Sequence, residues 1–119
     1  MMHTVAFLLL CLPVMGVCMA QYESGFNTRA VNRNSATSAS YGIFQINSWN
    51  CDPQDGTPTN NGCGHPCSDY VDPDLSDDVE CINHLRREYN GWGFSDGYTN
   101  HCQHVTSSYL SDCGSIIFG

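Results

Sequence analysis

The chain has 119 residues, of which 41% are hydrophobic, and this length limits it to one modest domain. Its formal net charge of −8 at pH 7 is uneven, because residues 1–51 sum to +1 and residues 52–119 to −9. A surface this acidic disfavours nucleic acid and anionic cell surfaces as partners, and it favours cations.

Eight cysteines in so short a chain indicate a secreted protein held by disulfides. They occupy positions 11, 18, 51, 63, 67, 81, 102 and 113. Zinc is a weaker alternative for a closely spaced group of thiols and imidazoles, since an oxidising compartment favours disulfides. That group comprises Cys63, His65, Cys67, Cys102 and His104.

The chain opens on an apolar run from Val5 to Val17, too short to span a bilayer and long enough for the core of a signal peptide. Cleavage could follow Gly16, which keeps Cys18, or Ala20, which removes it. No other segment is apolar enough to cross a membrane. The expected division is a signal peptide at residues 1–16 and a domain at residues 17–119.

The next segments predict a helix and then a small sheet. "VCMAQYESGF" is typical of a helix that ends at Gly25, whereas "NTRAVNRNSATSASYGIFQINS" favours turns and short antiparallel strands. The following "WNCDPQDGTPTNNGCGHPCSDY" is typical of a loop held by its three cysteines.

A second helix is predicted from Ser76 to Tyr89. Ser76 is the expected N-cap, acids fill the first turn, and Val79, Ile82, Leu85 and Tyr89 recur near helical spacing. The glycine- and aromatic-rich remainder predicts short helical turns.

An acidic cluster lies just before this helix, within "DYVDPDLSDDVEC". Asp72, Asp74, Asp77 and Asp78 fall within seven positions, with Pro73 bending the chain between them. Such a loop can supply the oxygen ligands that Ca²⁺ requires, yet acids are also common at a solvated helix start. The pattern itself leaves both interpretations open.

Glu23 is the only acidic residue among the first 51 positions. A glycosidase needs a carboxylic acid that protonates the leaving oxygen, and usually a second carboxylate across the sugar. Glu23 could be that acid, although a single Glu is more often an ordinary surface residue. No second acid lies near it in sequence.

Three motifs in order, "YESGFNTRAVNRN", "YGIFQINS" and "GCGHPCSD", together with the cysteine spacing, resemble the C-type lysozyme and α-lactalbumin family. The resemblance covers roughly Val17 to Cys113. It implies an α+β fold in which a helical lobe and a small three-stranded antiparallel sheet flank a saccharide cleft. It also implies the disulfides Cys18–Cys102, Cys51–Cys67 and Cys63–Cys81.

The same resemblance implies roles for several residues. Glu23 matches the general acid, Asn34 and Asn47 match cleft positions, and Trp49 matches an aromatic residue that stacks on sugar. It also implies a structural calcium ion. The ligands would be the carboxylates of Asp72, Asp77 and Asp78 and the backbone carbonyls of Asp69 and Asp74.

Three departures from the family pattern bear on function. Ser40 stands where active members carry the catalytic aspartate, and Ser95 stands where a tryptophan normally packs against the general acid, a role that Trp92 or Phe94 could take over. The first family helix and its cysteine are missing, which leaves Cys113 with only Cys11 as a possible partner.

These features predict a secreted, monomeric lysozyme-type glycosidase acting on β-1,4 bonds of peptidoglycan or a related oligosaccharide, with weak or lost activity. The alternative is a non-catalytic, calcium-stabilised saccharide binder or an α-lactalbumin-like partner of another protein. Ser40 and the acidic charge favour the alternative, and Glu23, Asn34 and Asn47 favour the enzyme.

Overall fold

The computed structural model describes residues 14–105. It contains helix α1 (Val14–Ser24), strands β1 (Val31–Ser35), β2 (Ser38–Tyr41) and β3 (Ile46–Asn47), a 3₁₀ helix (Cys67–Val71), helix α2 (Ser76–Glu88) and a π-helical segment (Tyr98–Cys102). This confirms the predicted α+β fold with one small antiparallel sheet. Most of the expected signal peptide, together with Cys11 and Cys113, lies outside the described residues.

Helix α1 is buried through its middle, and its last turn is exposed or half-buried. Val17, Cys18, Met19 and Ala20 are all less than 10% exposed and form part of the core. The helix ends where Gly25 adopts a φ of +64° and its N–H donates to the carbonyl of Gln21, at the position that the sequence predicts. This places Glu23 in the last turn of α1.

The sheet has the strand order β1-β2-β3, with both pairs antiparallel. Ser40 lies opposite Asn47 in the β2–β3 pair, so both residues are fixed side by side on the sheet. Ala39 and Ile46 are buried, whereas every residue of β1 is exposed. The sheet therefore presents a polar edge to solvent while its other side joins the core.

Helix α2 confirms the second predicted helix and ends one residue earlier than expected, at Glu88. Its N-cap prediction was wrong, because Leu75 occupies the cap position and makes no side-chain capping bond. Instead, the carboxylate of Asp74 accepts hydrogen bonds from the N–H of Ser76 at 3.0 Å and from its hydroxyl at 2.6 Å. The charged carboxylate of Asp74, next to the first turn, therefore takes the place of the weaker cap that was expected from Ser76.

Three disulfides hold these elements together: Cys18–Cys102, Cys51–Cys67 and Cys63–Cys81. They are the three pairs that the family resemblance implies. The zinc alternative is wrong for these cysteines, because a sulfur in a disulfide is not a thiolate ligand.

Gly42 packs the turn between β2 and β3 against the 3₁₀ helix. Its φ is +78°, and a Cβ at this position would collide with the backbone carbonyl oxygen of Tyr70. The same Cβ would lie 3.2 Å from Oδ2 of Asp78. Only glycine fits here, and this contact joins the sheet directly to the 3₁₀ helix and to the first turn of α2.

Candidate active-site cleft and acidic loop

A cleft of about 250 Å³ lies between the end of α1, the sheet and the segment before the π-helical turn. Its lining brings together three residues that the sequence singles out for catalysis or binding and one at the position of the missing aspartate. The lining residues are Glu23, Asn34, Ser40, Gln45, Asn47, Phe94 and Asp96. Residues that lie far apart in sequence thus meet at one concave surface.

Glu23 is held in the cleft by two donors on the same oxygen. The hydroxyl of Ser95 donates to Oε2 at 2.6 Å, and the N–H of Gly97 donates to it at 3.0 Å. A Cβ on Gly97 would lie 3.2 Å from Cγ of Glu23, so the chain passes close against this side chain. Both contacts use Oε2, and Oε1 accepts no hydrogen bond within the described residues.

The opposite wall of the cleft carries hydroxyl and amide groups. Nδ2 of Asn34 donates to the Ser40 hydroxyl at 3.0 Å, and Nδ2 of Asn47 donates to the Ser38 hydroxyl at 2.9 Å. None of the sheet residues that line the described cleft carries a charge. This wall can hydrogen-bond a sugar, but it cannot stabilise a cation by charge.

Phe94 is the apolar neighbour of Glu23, whereas Trp92 is not. Phe94 lines the cleft and also a smaller cavity of about 30 Å³ beside Glu23, large enough for about one water molecule. Trp92 packs against Phe94 with ring centroids 5.9 Å apart, and Cζ of Arg86 lies 5.6 Å from the centroid of the Trp92 ring. Of the two aromatic residues considered for the place of the family tryptophan, Phe94 lines both cavities together with Glu23, and Trp92 lines neither.

A second site lies on the other side of the Gly42 contact, in the acidic loop, which comprises residues 69–78 and includes the first turn of α2. One carboxylate oxygen from each of Asp72, Asp77 and Asp78 lies within 4.8 Å of the others. Burial, and then the charge of Asp77, raises the pKa of Asp72. Three carboxylates this close repel one another unless a cation or a proton neutralises them.

Asp78 is the residue of this loop that most needs a partner. It is fully buried, and neither of its carboxylate oxygens has a hydrogen-bond partner among the described residues. Burial, with a further contribution from Asp77, raises its pKa to about 9. A buried, unpartnered carboxylate surrounded by two others fits a hard cation such as Ca²⁺, which takes oxygen ligands.

The other two acids of the predicted ligand set use their carboxylates elsewhere. Asp69 contacts Nδ1 of His65 at 3.0 Å, and the carboxylate of Asp74 accepts the two hydrogen bonds from Ser76. Those bonds lower the pKa of Asp74. The side chains of these residues are thus engaged away from the acidic centre, which leaves their backbone carbonyls as the groups to consider there.

Comparison with known proteins identifies the family. The family model described as "C-type lysozyme/alpha-lactalbumin family" matches residues 10–113. Lysozyme C of Scophthalmus maximus is 47% identical over 100 residues, which cover 82% of this chain and 69% of that protein. The chain belongs to the C-type lysozyme/α-lactalbumin family.

A further relative and a solved structure extend this result. The milk isozyme of lysozyme C from Canis lupus familiaris is 41% identical over 100 residues, covering 82% of this chain and 77% of the relative. The crystal structure of canine milk lysozyme in its apo form superposes with a TM-score of 0.76 at 37% identity, over 83% of this chain and 78% of that one. The lysozyme fold is thus shown by sequence and by structure.

The structure does not place Trp49 in the cleft of this chain. It follows β3, its side chain is 49% exposed, and it does not line the cavity around Glu23. Its ring lies in a turn fixed by backbone contacts, since its carbonyl accepts hydrogen bonds from the N–H groups of Asn60 and Asn61. Any sugar contact it makes lies outside that cavity.

Sequence reasoning missed two lining residues of this lysozyme-type cleft, Gln45 and Asp96. Gln45 lies within the "YGIFQINS" motif at a φ of +51°, and its amide bridges the carbonyls of Ala30 and Gly42. Asp96 directly follows Ser95, and the departure from the family pattern at Ser95 was a sequence signal that could have pointed to it.

No helix among residues 14–105 is long and apolar enough to cross a membrane.

Proposed function

We propose that this chain is a secreted, lysozyme-fold protein that binds β-1,4-linked amino-sugar oligomers of the peptidoglycan and chitin type. It hydrolyses them much more slowly than a family member that has both carboxylates. One observation carries this proposal: the polar cleft around Glu23 is present, while the residue facing it from β2 is Ser40, hydrogen-bonded to Asn34 at 3.0 Å.

The cleft residues have different roles in the proposed reaction. Glu23 supplies the acid through Oε1, which protonates the leaving glycosidic oxygen as the C–O bond breaks. Water then adds to the sugar cation, and the Glu23 carboxylate takes up its proton. Asn34 and Asn47 hold the sugar by hydrogen bonds.

Ser40 can also hydrogen-bond the sugar, but it cannot replace the missing aspartate in catalysis. Its neutral hydroxyl offers no charge to stabilise the sugar cation and no ready nucleophile for a glycosyl intermediate. Loss of that charge predicts slow turnover together with retained binding.

Binding and turnover should therefore be measured side by side. We expect N-acetylglucosamine oligomers to bind in titration calorimetry, and Glu23→Gln to remove any clearing of a peptidoglycan suspension. Turnover at the rate of a lysozyme with both carboxylates would refute the proposed slow hydrolysis. Absence of binding to any β-1,4-linked amino-sugar oligomer would refute the glycan-binding function as a whole.

The second candidate is a non-catalytic saccharide binder. The observation that favours it is the pair of hydrogen bonds from Ser95 and Gly97 to Glu23, which occupy Oε2 as an acceptor without any ligand. Oligomer binding with clearing no greater than that of Glu23→Gln identifies this candidate. A protein partner captured by the wild type, with no oligomer binding, would point to an α-lactalbumin-like role.

We further propose a structural calcium ion held by the carboxylates of Asp72, Asp77 and Asp78 and by the backbone carbonyls of Asp69 and Asp74. Its charge would neutralise Asp78 and tie the loop to α2.

We place signal cleavage after Gly16, because cleavage after Ala20 would remove Cys18 and with it the Cys18–Cys102 bridge. The mature chain is proposed to be an extracellular monomer.

A further inference from the structure

The cleft contains a second carboxylate, Asp96, that the reaction above does not use. Its neighbours Ser95 and Gly97 both hydrogen-bond Oε2 of Glu23, at 2.6 and 3.0 Å. Asp96 is therefore fixed between the two residues that hold Glu23, and it lines the same cavity. Its side chain is exposed and has no hydrogen bond or salt bridge within residues 14–105.

Among the described residues that line the cleft, no positive group balances these two carboxylates. The other lining residues are neutral: Asn34, Ser40, Gln45, Asn47 and Phe94. Two of the four arginines are engaged elsewhere, since Arg86 lies over the ring of Trp92 and Arg33 donates to the carbonyl of Ser35. A concave site lined by one sign of charge concentrates its potential, so this cleft attracts a cationic ligand.

This charge discriminates among β-1,4 amino-sugar polymers. Fully N-acetylated sugars are neutral and gain nothing from it, whereas the carboxylates on the lactyl and peptide groups of peptidoglycan lower its affinity relative to those neutral sugars. A sugar with a free amino group carries an ammonium, which can pair with a carboxylate while its ring fills the same polar cleft.

Resting on the proposed glycan-binding function, we propose that the cleft selects β-1,4-linked glucosamine-type oligomers with free ammonium groups, and that Asp96 determines this selectivity. Glu23 keeps its place at the leaving oxygen, and Asp96 binds an ammonium on a sugar at the helical side of the cleft. The overall charge of −8 supports the same preference by attracting such oligomers from solution.

The test compares a glucosamine oligomer with an N-acetylglucosamine oligomer of the same length, at a pH where the amines are protonated. Calorimetry on the wild type should show the glucosamine oligomer binding about fivefold more tightly at low salt, in the range of an exposed ion pair. This preference should shrink as the ionic strength rises.

Asp96→Asn, which keeps the size of the side chain at an exposed position, should lower the affinity ratio toward one. Glu80→Gln removes the same charge from an exposed position of α2 outside the cleft, and it should leave the ratio unchanged. Equal affinities in the wild type, or the wild-type ratio in Asp96→Asn, would overturn the selectivity while the glycan-binding function stands. If neither oligomer binds, both proposals fail.

Discussion

The cleft and the acidic loop each hold a carboxylate out of full contact with water, and they differ in where its partners come from. Oε2 of Glu23 already accepts hydrogen bonds from Ser95 and Gly97. Asp78 is completely buried, and both of its oxygens lack a partner among the described residues. Glu23 is satisfied by the protein itself, whereas Asp78 requires a cation or a proton from solution.

At a fixed pH, the largest effect should come from supplying that cation. Calcium at about 1,000 times its dissociation constant should add about 4 kcal/mol to the free energy of unfolding. For a domain of this size, that raises Tm by more than about 10 °C. Calorimetric melting with calcium and with chelator measures the shift.

Two variants sharpen the calcium test. Asp77→Asn should abolish the rise in Tm, while Asp55→Asn, which neutralises an exposed loop acid outside the cluster, should keep it. Identical melting curves with calcium and with chelator would rule out the proposed ion.

Gly42→Ala should break the contact that joins the two regions. The added methyl group would meet the carbonyl oxygen of Tyr70 and approach Asp78 at a φ of +78°, so we expect a loss of about 3 kcal/mol or more. Gly64→Ala is the matched control, because Gly64 has a φ of +71° with nothing within 4 Å. For Gly64→Ala, urea unfolding should show a loss of about 1 kcal/mol in the free energy of unfolding. Equal losses in the two variants would contradict the steric argument.

Much of the fold was predictable, because its signals are local. Helix α2 follows from apolar residues at helical spacing, and the end of α1 follows from Gly25. The disulfides came only with the family resemblance, since spacing alone leaves their pairing open. The N-cap of α2 was mispredicted because Asp74 competes with Ser76 for the same turn.

The cleft was predictable only in part, because its lining depends on long-range packing. The resemblance pointed to Glu23, Asn34 and Asn47, which do meet. Asp96 belongs to no motif, and its one sequence signal was the departure from the family pattern at the neighbouring Ser95. Its place in the cleft depends on the contact between Ser95 and Glu23, which are 72 positions apart.

Ser40→Asp should convert the cleft toward a working glycosidase. Asn34 already donates to the residue at this position, so a carboxylate gains a hydrogen bond on the wall facing Glu23. We expect clearing of peptidoglycan to rise about a hundredfold, the scale of one charge-stabilising group in a transition state. Ser40→Asn controls for size, and equal activity in both variants would exclude a missing charge as the cause.

The metal-free acidic loop should show an inverted pH dependence. Because burial raises the pKa of Asp78 to about 9, the folded state binds a proton more tightly than the unfolded state. This group's contribution to stability therefore grows as the pH falls from about 9 toward about 4, by at most about 1.4 kcal/mol per pH unit. Urea unfolding in chelator at several pH values measures the slope.

The calcium-bound protein should show the opposite dependence of stability on pH. With calcium bound, acid should destabilise the protein instead, because protons compete with the ion for the carboxylates. Asp78→Asn, which is neutral at every pH, should flatten the metal-free slope. A stability that falls on acidification in chelator would contradict the assignment to Asp78.

The smallest effect is expected at the carboxylate that the protein already satisfies. Ser95→Ala removes the 2.6 Å donor to Glu23 and leaves the N–H of Tyr98 without its acceptor, which should cost about 1 kcal/mol. Ser95→Thr keeps the hydroxyl and should retain most of the stability in urea unfolding. Because Gly97 still donates to Glu23, oligomer affinity in Ser95→Ala should fall only severalfold. A complete loss of binding would mean that Ser95, rather than the paired donors, determines where the carboxylate points.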